Sequence, residues 1–292
     1  MPPPTRRHLL RGAGALASFG RLRAADPKFR VSLAEWSFHR AIKARLMTNL
    51  DFPRIAREHF NIEGLEFVNQ LWEAPTQAYV DELRGAMHST ATKAVLIMCD
   101  NEGHMGHTER NARLRAAANH HKWVDIAAGI GCHSIRTNMF PSQYPKTPAE
   151  IDEFLKYCAE SFTALCEYAK PRNINVLVEN HGGLSSDAAI VVRLMKMVSL
   201  PNLGTLPDFG NFPPATDKYD AIQKMMPFAK AVSFKCFDFG AGGKETTIDM
   251  DRMMKIVLDA GYRSWIGIEY EGSRLSEFEG VAAAKRLVDR ML

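Results

Sequence analysis

The chain has 292 residues, 46% of them hydrophobic and 24% charged, a globular composition long enough for one large core. Its formal net charge of +4 leans on the first 30 residues, where Arg6, Arg7, Arg11, Arg21, Arg23, Lys28 and Arg30 face only Asp26. The remainder is close to neutral, which excludes a body built to bind nucleic acid, and no later apolar run approaches the ~20 residues of a membrane span.

From the N-terminus, TRRHLLRGAGALASFG (Thr5 to Gly20) sets an arginine pair before a weakly apolar, Gly/Ala-rich segment, with the small residues Ala24 and Ala25 following. The pattern resembles a twin-arginine export signal, so residues 1–25 are expected to be a leader and 26–292 a single domain. That places the protein in the periplasm or otherwise outside the cytoplasm; without such a signal it would be cytoplasmic. The five cysteines, Cys99, Cys132, Cys158, Cys166 and Cys236, are odd in number and contain no CxxC pair. They read as buried apolar residues rather than a disulfide framework or thiolate metal site.

From residue 30 onward, short apolar runs alternate with longer segments of helical periodicity. The strands are predicted at VSLAEW (31–36), GLEFV (64–68), AVLIMC (94–99), AGIGCH (128–133), INVLVE (174–179), LGTLPD (203–208), AVSFK (231–235) and WIGIE (265–269). Thr147-Pro148-Ala149-Glu150 reads as a capping box with proline at the first helical position, opening a helix to about Tyr168. Strand and helix repeated without hairpin signals imply parallel strands with crossover helices, and eight such units close into an α/β (β/α)₈ TIM barrel. An open doubly wound sheet would favour a glycine-rich loop after the first strand, and AEWSFHRAI has no glycine.

Active sites of such barrels stand at the C-terminal ends of the strands. The residues expected there are Trp36 and His39; Glu66 and Asn69; Asp100, Asn101 and Glu102; His133 and Arg136; Glu179 and His181; Asp208 and Asn211; Ser233 and Lys235; and Glu269 with Glu271. Carboxylates gathered in a water-poor cleft raise one another's pKa unless a cation neutralises them. Glu179, Asp208 and Glu269 form an oxygen donor set that suits a divalent metal, Mn²⁺ or Mg²⁺ better than Zn²⁺.

VENHGG (178–183), PDFGNF (207–212), AVSFKCFDF (231–239) and GYRSWIGIEYEG (261–272) together resemble the xylose-isomerase-like TIM barrels, the sugar phosphate isomerase/epimerase family. The resemblance implies one divalent metal on Glu179, Asp208 and Glu269, with a strand 7 histidine as fourth ligand. It also implies that Glu179 and Glu269 serve as an acid/base pair. Two positions depart from the family. Ser233 stands at the histidine position, no histidine follows His181, and Asn211 replaces a histidine found in some members. His181, of the same side-chain parity as Glu179, is therefore carried as a candidate fourth ligand. Lys235 is a candidate for orienting substrate or stabilising an oxyanion. Trp36, Glu66, His133, Arg136 and Asn211 are candidates for binding substrate, with Phe38, Trp72 and Phe212 as further apolar faces. The glycines of FGAGGKETTID (239–249) would permit a lid or form a simple turn.

The expected activity is isomerisation or epimerisation of a sugar or sugar-derived ketone through an enediolate. A lyase or dehydratase on the same site is the first alternative, and a non-catalytic sugar-binding barrel is one of another class. Related endonuclease barrels need histidine clusters that strands 6 to 8 lack. The expected partner is a small carbohydrate, with no nucleic acid and no membrane span; self-association into a homo-oligomer is compatible with this reading.

Overall fold

The computed structural model describes residues 28–292, and the leader expected over residues 1–25 lies outside the described residues. Eight strands, β1 (Arg30–Ala34), β2 (Gly64–Val68), β3 (Lys93–Cys99), β4 (Ser134–Thr137), β5 (Asn175–Glu179), β6 (Leu203–Leu206), β7 (Val232–Cys236) and β8 (Trp265–Tyr270), form one parallel sheet. The order β6-β5-β4-β3-β2-β1-β8-β7 leaves β6 and β7 at its two ends. Those ends meet through the Thr205–Ala229 and Asp208–Ser233 bridges, where the Ser233 amide donates to Pro207 O at 3.0 Å. The sheet is thus a closed (β/α)₈ barrel, as the eight-fold alternation predicts.

The outer layer comprises α1 (His39–Lys43), α2 (Phe52–Phe60), α3 (Gln77–Thr90), α4 (Arg110–Asn119), α5 (His121–Ile130), α6 (Pro148–Ala169), α7 (Ala188–Val198), α8 (Lys218–Met225), α9 (Met250–Asp259) and α10 (Glu277–Asp289). Two cores result. Outward-facing strand residues such as Phe67, Val178, Phe234 and Ile268 pack against helices, while Ala34, Val68, Leu96, Leu177, Leu206 and Trp265 pack inside the barrel. Because both strand faces are buried, the outward residues of most strands are apolar, and the polar ones, such as Ser32, Glu66 and Lys235, point into the barrel. The α6 start forms the expected capping box: the Thr147 side chain accepts from the Glu150 amide, and Glu150 accepts from the Thr147 amide. Among the described residues no helix is long and apolar enough to cross a membrane.

Two expectations are corrected. AGIGCH is not strand 4; Ala128, Gly129 and Ile130 end α5, Gly131 (φ 86°) terminates it, and the Cys132 amide returns to Ala127 O at 2.9 Å. The strand is the next segment, SIRT, which begins after His133. Its inward face carries polar Ser134 and Arg136, so the apolar signal that reveals the other strands is missing. Second, the 239–249 loop is not a loose lid. It forms a turn at Ala241–Gly243, closed by the Gly240 amide donating to Lys244 O at 2.9 Å, and buried Glu245 ties the flanking segments together, its carboxylate accepting from the amides of Phe237, Asp238, Thr247 and Ile248.

Candidate active site at the C-terminal mouth

Alternation along the strands sends Glu179, Ser233, Lys235 and Glu269 into the barrel, and the β7–β8 register sets Lys235 beside Glu269. One oxygen each from Glu179, Asp208 and Glu269 lies within 4.8 Å of the others, all three residues being buried. No other cluster of three such donor groups occurs among the described residues. His181 does not join this group, so the expectation of a histidine ligand from strand 5 is not met in this arrangement.

Asp208 is held by its own strand end, Glu179 and Glu269 by the end of a neighbouring strand. Asp208 follows β6 and turns the chain on itself, its Oδ1 accepting from the Gly210 and Asn211 amides at 2.8 Å each. The Asn180 side chain extends the sheet by one rung: its Oδ1 accepts from the Asp208 amide and its Nδ2 donates to Asp208 O, both at 2.8 Å. Asn69 makes the same clamp on Asp100 at the β2–β3 end, at 2.9 Å in both directions. Glu179 Oε1 accepts from Asn211 Nδ2 at 3.0 Å. Glu269 accepts from Ser233 Oγ at 3.0 Å and Lys235 Nζ at 2.9 Å, one on each oxygen.

A charge chain runs sideways from this cluster. The Arg136 guanidinium lies 2.8 Å from Glu179 Oε2 and donates to Asp100 Oδ1 at 2.5 Å. Asn138 also donates to Asp100, at 2.6 Å. Burial pushes Glu179 and Asp208 up to about 7, against the opposing pull of Arg136 and Lys235 respectively. For Glu269 burial acts in the same direction, but the Lys235 charge and hydrogen bond win and hold its carboxyl below the ordinary range. For Asp100 burial is likewise overcome by Arg136, which lowers it well below a usual carboxylate.

Two buried oxygens, Glu179 Oε2 and Asp208 Oδ2, have no hydrogen-bond donor; Arg136 Nε is near the first but out of line. Orphaned lone pairs on buried acids, with two of the three pushed to near neutrality, are the mark of a group that lacks positive charge. Glu179, Asp208 and Glu269 therefore fit a divalent ion.

The cluster reaches a cavity of about 460 Å³ at the mouth through Glu269, the one of its three acids on the cavity wall. Trp36, Arg136, His181 and Glu269 line it, as do Asp100, Glu102, His104, Asn138 and Phe140 from the β3 and β4 ends. Trp36 stacks on His39, with ring centroids 4.6 Å apart. Burial, and next the Arg136 charge, holds the His181 imidazole below its ordinary pKa. Asn211 stands behind Glu179, off the cavity wall. Phe38 and Trp72 belong to the outer core. His133 is misplaced by the strand 4 error: it precedes β4, with Arg30 and Lys230 as its charged neighbours at the N-terminal end of the barrel. It is at the wrong end to touch a substrate at the mouth.

Glu66 faces inward but lies below the mouth, 1% exposed, accepting from Ser32 Oγ at 2.6 Å. Gly267 makes its space, since a Cβ there would fall 2.4 Å from the carboxylate. Burial pushes Glu66 up to about 8 from 4.5, as it does Glu35. Between those values the folded chain holds protons that the unfolded chain has released. These two acids therefore cost stability as pH rises through that window, each by up to about 1.4 kcal/mol per unit. Glu66→Gln is expected to reduce the fall in melting temperature between about pH 5 and 8, leaving the shares of Glu35, Glu179 and Asp208. An unchanged slope would show that Glu66 is ionised in the fold.

A closed parallel barrel with convergent acids and a cavity at its C-terminal face belongs to the class that puts catalytic sites on strand ends. Within that class, the chain is a member of the xylose isomerase-like TIM barrel family, whose profile matches residues 54–291. Among solved structures, 3-keto-D-glucoside 4-epimerase from E. coli in its apo form is similar at 16% identity and TM-score 0.68, covering 91% of this chain and 100% of that one. The IOLI protein with a bound zinc atom follows at 14% identity and TM-score 0.71, covering 89% and 97%. A probable 3-DHS dehydratase from Bacillus anthracis is similar at 18% identity and TM-score 0.64, covering 89% and 98%. At such identities the likeness is one of fold. No curated protein sequence matches the chain significantly.

Among the residues that matter here, sequence reading overlooked the Asn180 and Asn69 clamps and the Asp100–Arg136–Glu179 chain. An asparagine directly after a strand is the one local signal of such a clamp. Nothing local announces the charge chain.

Proposed function

We propose that this protein is an isomerase or epimerase of a sugar or sugar-derived ketone, working through an enediolate. The observation that carries the reading is the convergence of Glu179, Asp208 and Glu269 beside a cavity of about 460 Å³, room for a sugar-sized molecule. These three carboxylates would hold the divalent ion, and an all-oxygen set suits Mn²⁺ or Mg²⁺ better than Zn²⁺. Such an ion, when bound, supplies a Lewis acid that polarises a carbonyl.

The chain's own groups then handle the proton. One of Glu179 and Glu269 removes it from the carbon next to the carbonyl, and the C–H electron pair moves toward the carbonyl oxygen as the enediolate forms. The other carboxylate returns a proton, to the neighbouring carbon for isomerisation or to the opposite face for epimerisation. Trp36 and Phe140 offer apolar walls for a sugar ring, and Asn138 and Asp100 offer hydrogen bonds to its hydroxyls. The epimerase named above supports this reading by its shared fold, and the dehydratase supports elimination as the runner-up, with a β-hydroxyl leaving from the same enediolate.

Incubation of candidate ketoses and 3-keto sugars in D₂O with Mn²⁺, followed by NMR, tests it. Carbon-bound deuterium in an intact skeleton is the expected result. Loss of a substituent would make the enzyme a lyase; binding without exchange, indifferent to chelator, would leave a sugar-binding barrel.

A further inference from the structure

The family's strand 7 histidine position is Ser233, and its hydroxyl does not present a free lone pair to the acid cluster but donates to Glu269 Oε2 at 3.0 Å. The other oxygen of Glu269 is taken by Lys235 Nζ at 2.9 Å. Lys235 is 1% exposed, and its ammonium also lies 3.6 Å from Asp208 Oδ2, the oxygen that has no hydrogen-bond donor. A cation of the chain itself is therefore seated against two of the three groups that fit the metal. Its third neighbour is Glu271, 3.4 Å away and 28% exposed at the rim, two residues beyond Glu269 on the same face.

We propose that Lys235 is a built-in competitor of the divalent ion, and that metal binding moves its ammonium from Glu269 and Asp208 onto Glu271. The proposal rests on the metal-assisted reading above. Its physical basis is Coulombic: a unit charge held 2.9 and 3.6 Å from the ligand oxygens opposes a doubly charged ion more strongly than one hydrogen bond can compensate. Glu271 then tunes metal affinity without being a ligand, because it offers the displaced ammonium a partner while keeping the charge inside the protein. Arg136 does not play this part, being tied to Asp100 on its far side.

Mn²⁺ titration of the purified full chain, with free Mn²⁺ followed by EPR, tests the exchange. Lys235→Met is expected to bind Mn²⁺ about tenfold or more tightly than the parent. Glu271→Gln is expected to bind it several-fold more weakly, and that loss should disappear in the Lys235→Met background, which is the coupling expected of residues acting through each other. Lys235→Gln keeps a donor to Glu269 without the charge; it should shift affinity the same way and guards against a methionine variant that does not fold. Equal or weaker Mn²⁺ binding in the Lys235 variants, or a Glu271→Gln loss that persists without Lys235, overturns the inference and leaves the metal reading intact. Absence of Mn²⁺ binding in every protein, the parent included, overturns both.

Discussion

Glu179→Gln is expected to lower carbon-bound deuterium exchange by about a thousandfold while leaving the fold in place. The amide keeps an oxygen to accept from Asn211, whose bond to Glu179 is 3.0 Å, and Arg136 retains Asp100 as its charged partner. What the substitution removes is the capacity to take and return a proton, together with one negative charge of the acid cluster. Circular dichroism and thermal melting should stay near those of the parent, so that loss of exchange reads as lost chemistry. Exchange within a few-fold of the parent would show that Glu179 is not part of the proton path.

Replacing Arg136 by leucine is expected to cost about 3–5 kcal/mol of stability, the order seen when one partner of a buried ion pair is removed. The guanidinium stands between Asp100 and Glu179 and is itself 3% exposed, so its loss strands two carboxylates inside the barrel. An exposed pair such as Lys255 and Asp259, 2.6 Å apart on α9, gives a useful contrast: breaking it should cost about 1 kcal/mol or less. Urea unfolding of both variants measures the two effects side by side. The Arg136 deficit should shrink on acidification as Asp100 and Glu179 take up protons. A loss below about 1 kcal/mol for Arg136→Leu would mean that water reaches and solvates this network.

The two variants separate two jobs of one constellation. In the proposed reaction Glu179 handles the proton, while Arg136 faces Glu179, so the first should move turnover and the second mainly stability. Lys235 belongs with Arg136 in this respect: both supply the positive charge that allows several acids to share one buried mouth. The difference is that Arg136 has an acid on each side, whereas Lys235 has a rim carboxylate toward which it can turn.

Strand order, barrel closure and three of the site acids follow from local sequence. A buried parallel strand must be an apolar run, a crossover helix must show helical periodicity, and an acid directly after such a run has left the core. Glu179, Asp208 and Glu269 satisfy that rule, and their convergence was legible from strand count and parity alone. The same rule failed at β4, because Ser134 and Arg136 point inward and only Ile135 and Thr137 point outward, so no apolar run marks it, whereas β7 keeps Val232, Phe234 and Cys236 outward. His133 went to the wrong end of the barrel with it.

Tertiary structure decided the rest. Parity states whether a side chain points into the barrel but not how deep it lies, and the stagger of the strands set Glu66 below the mouth while leaving Glu269 on the cavity wall. Nor can spacing along the chain say that Arg136 reaches Glu179, 43 residues away, or that Lys235 lies against Asp208 and Glu269. Those contacts depend on the packing of neighbouring strands, and burial there turns a modest surface interaction into one strong enough to hold Asp100 and Glu269 below the ordinary carboxylate range.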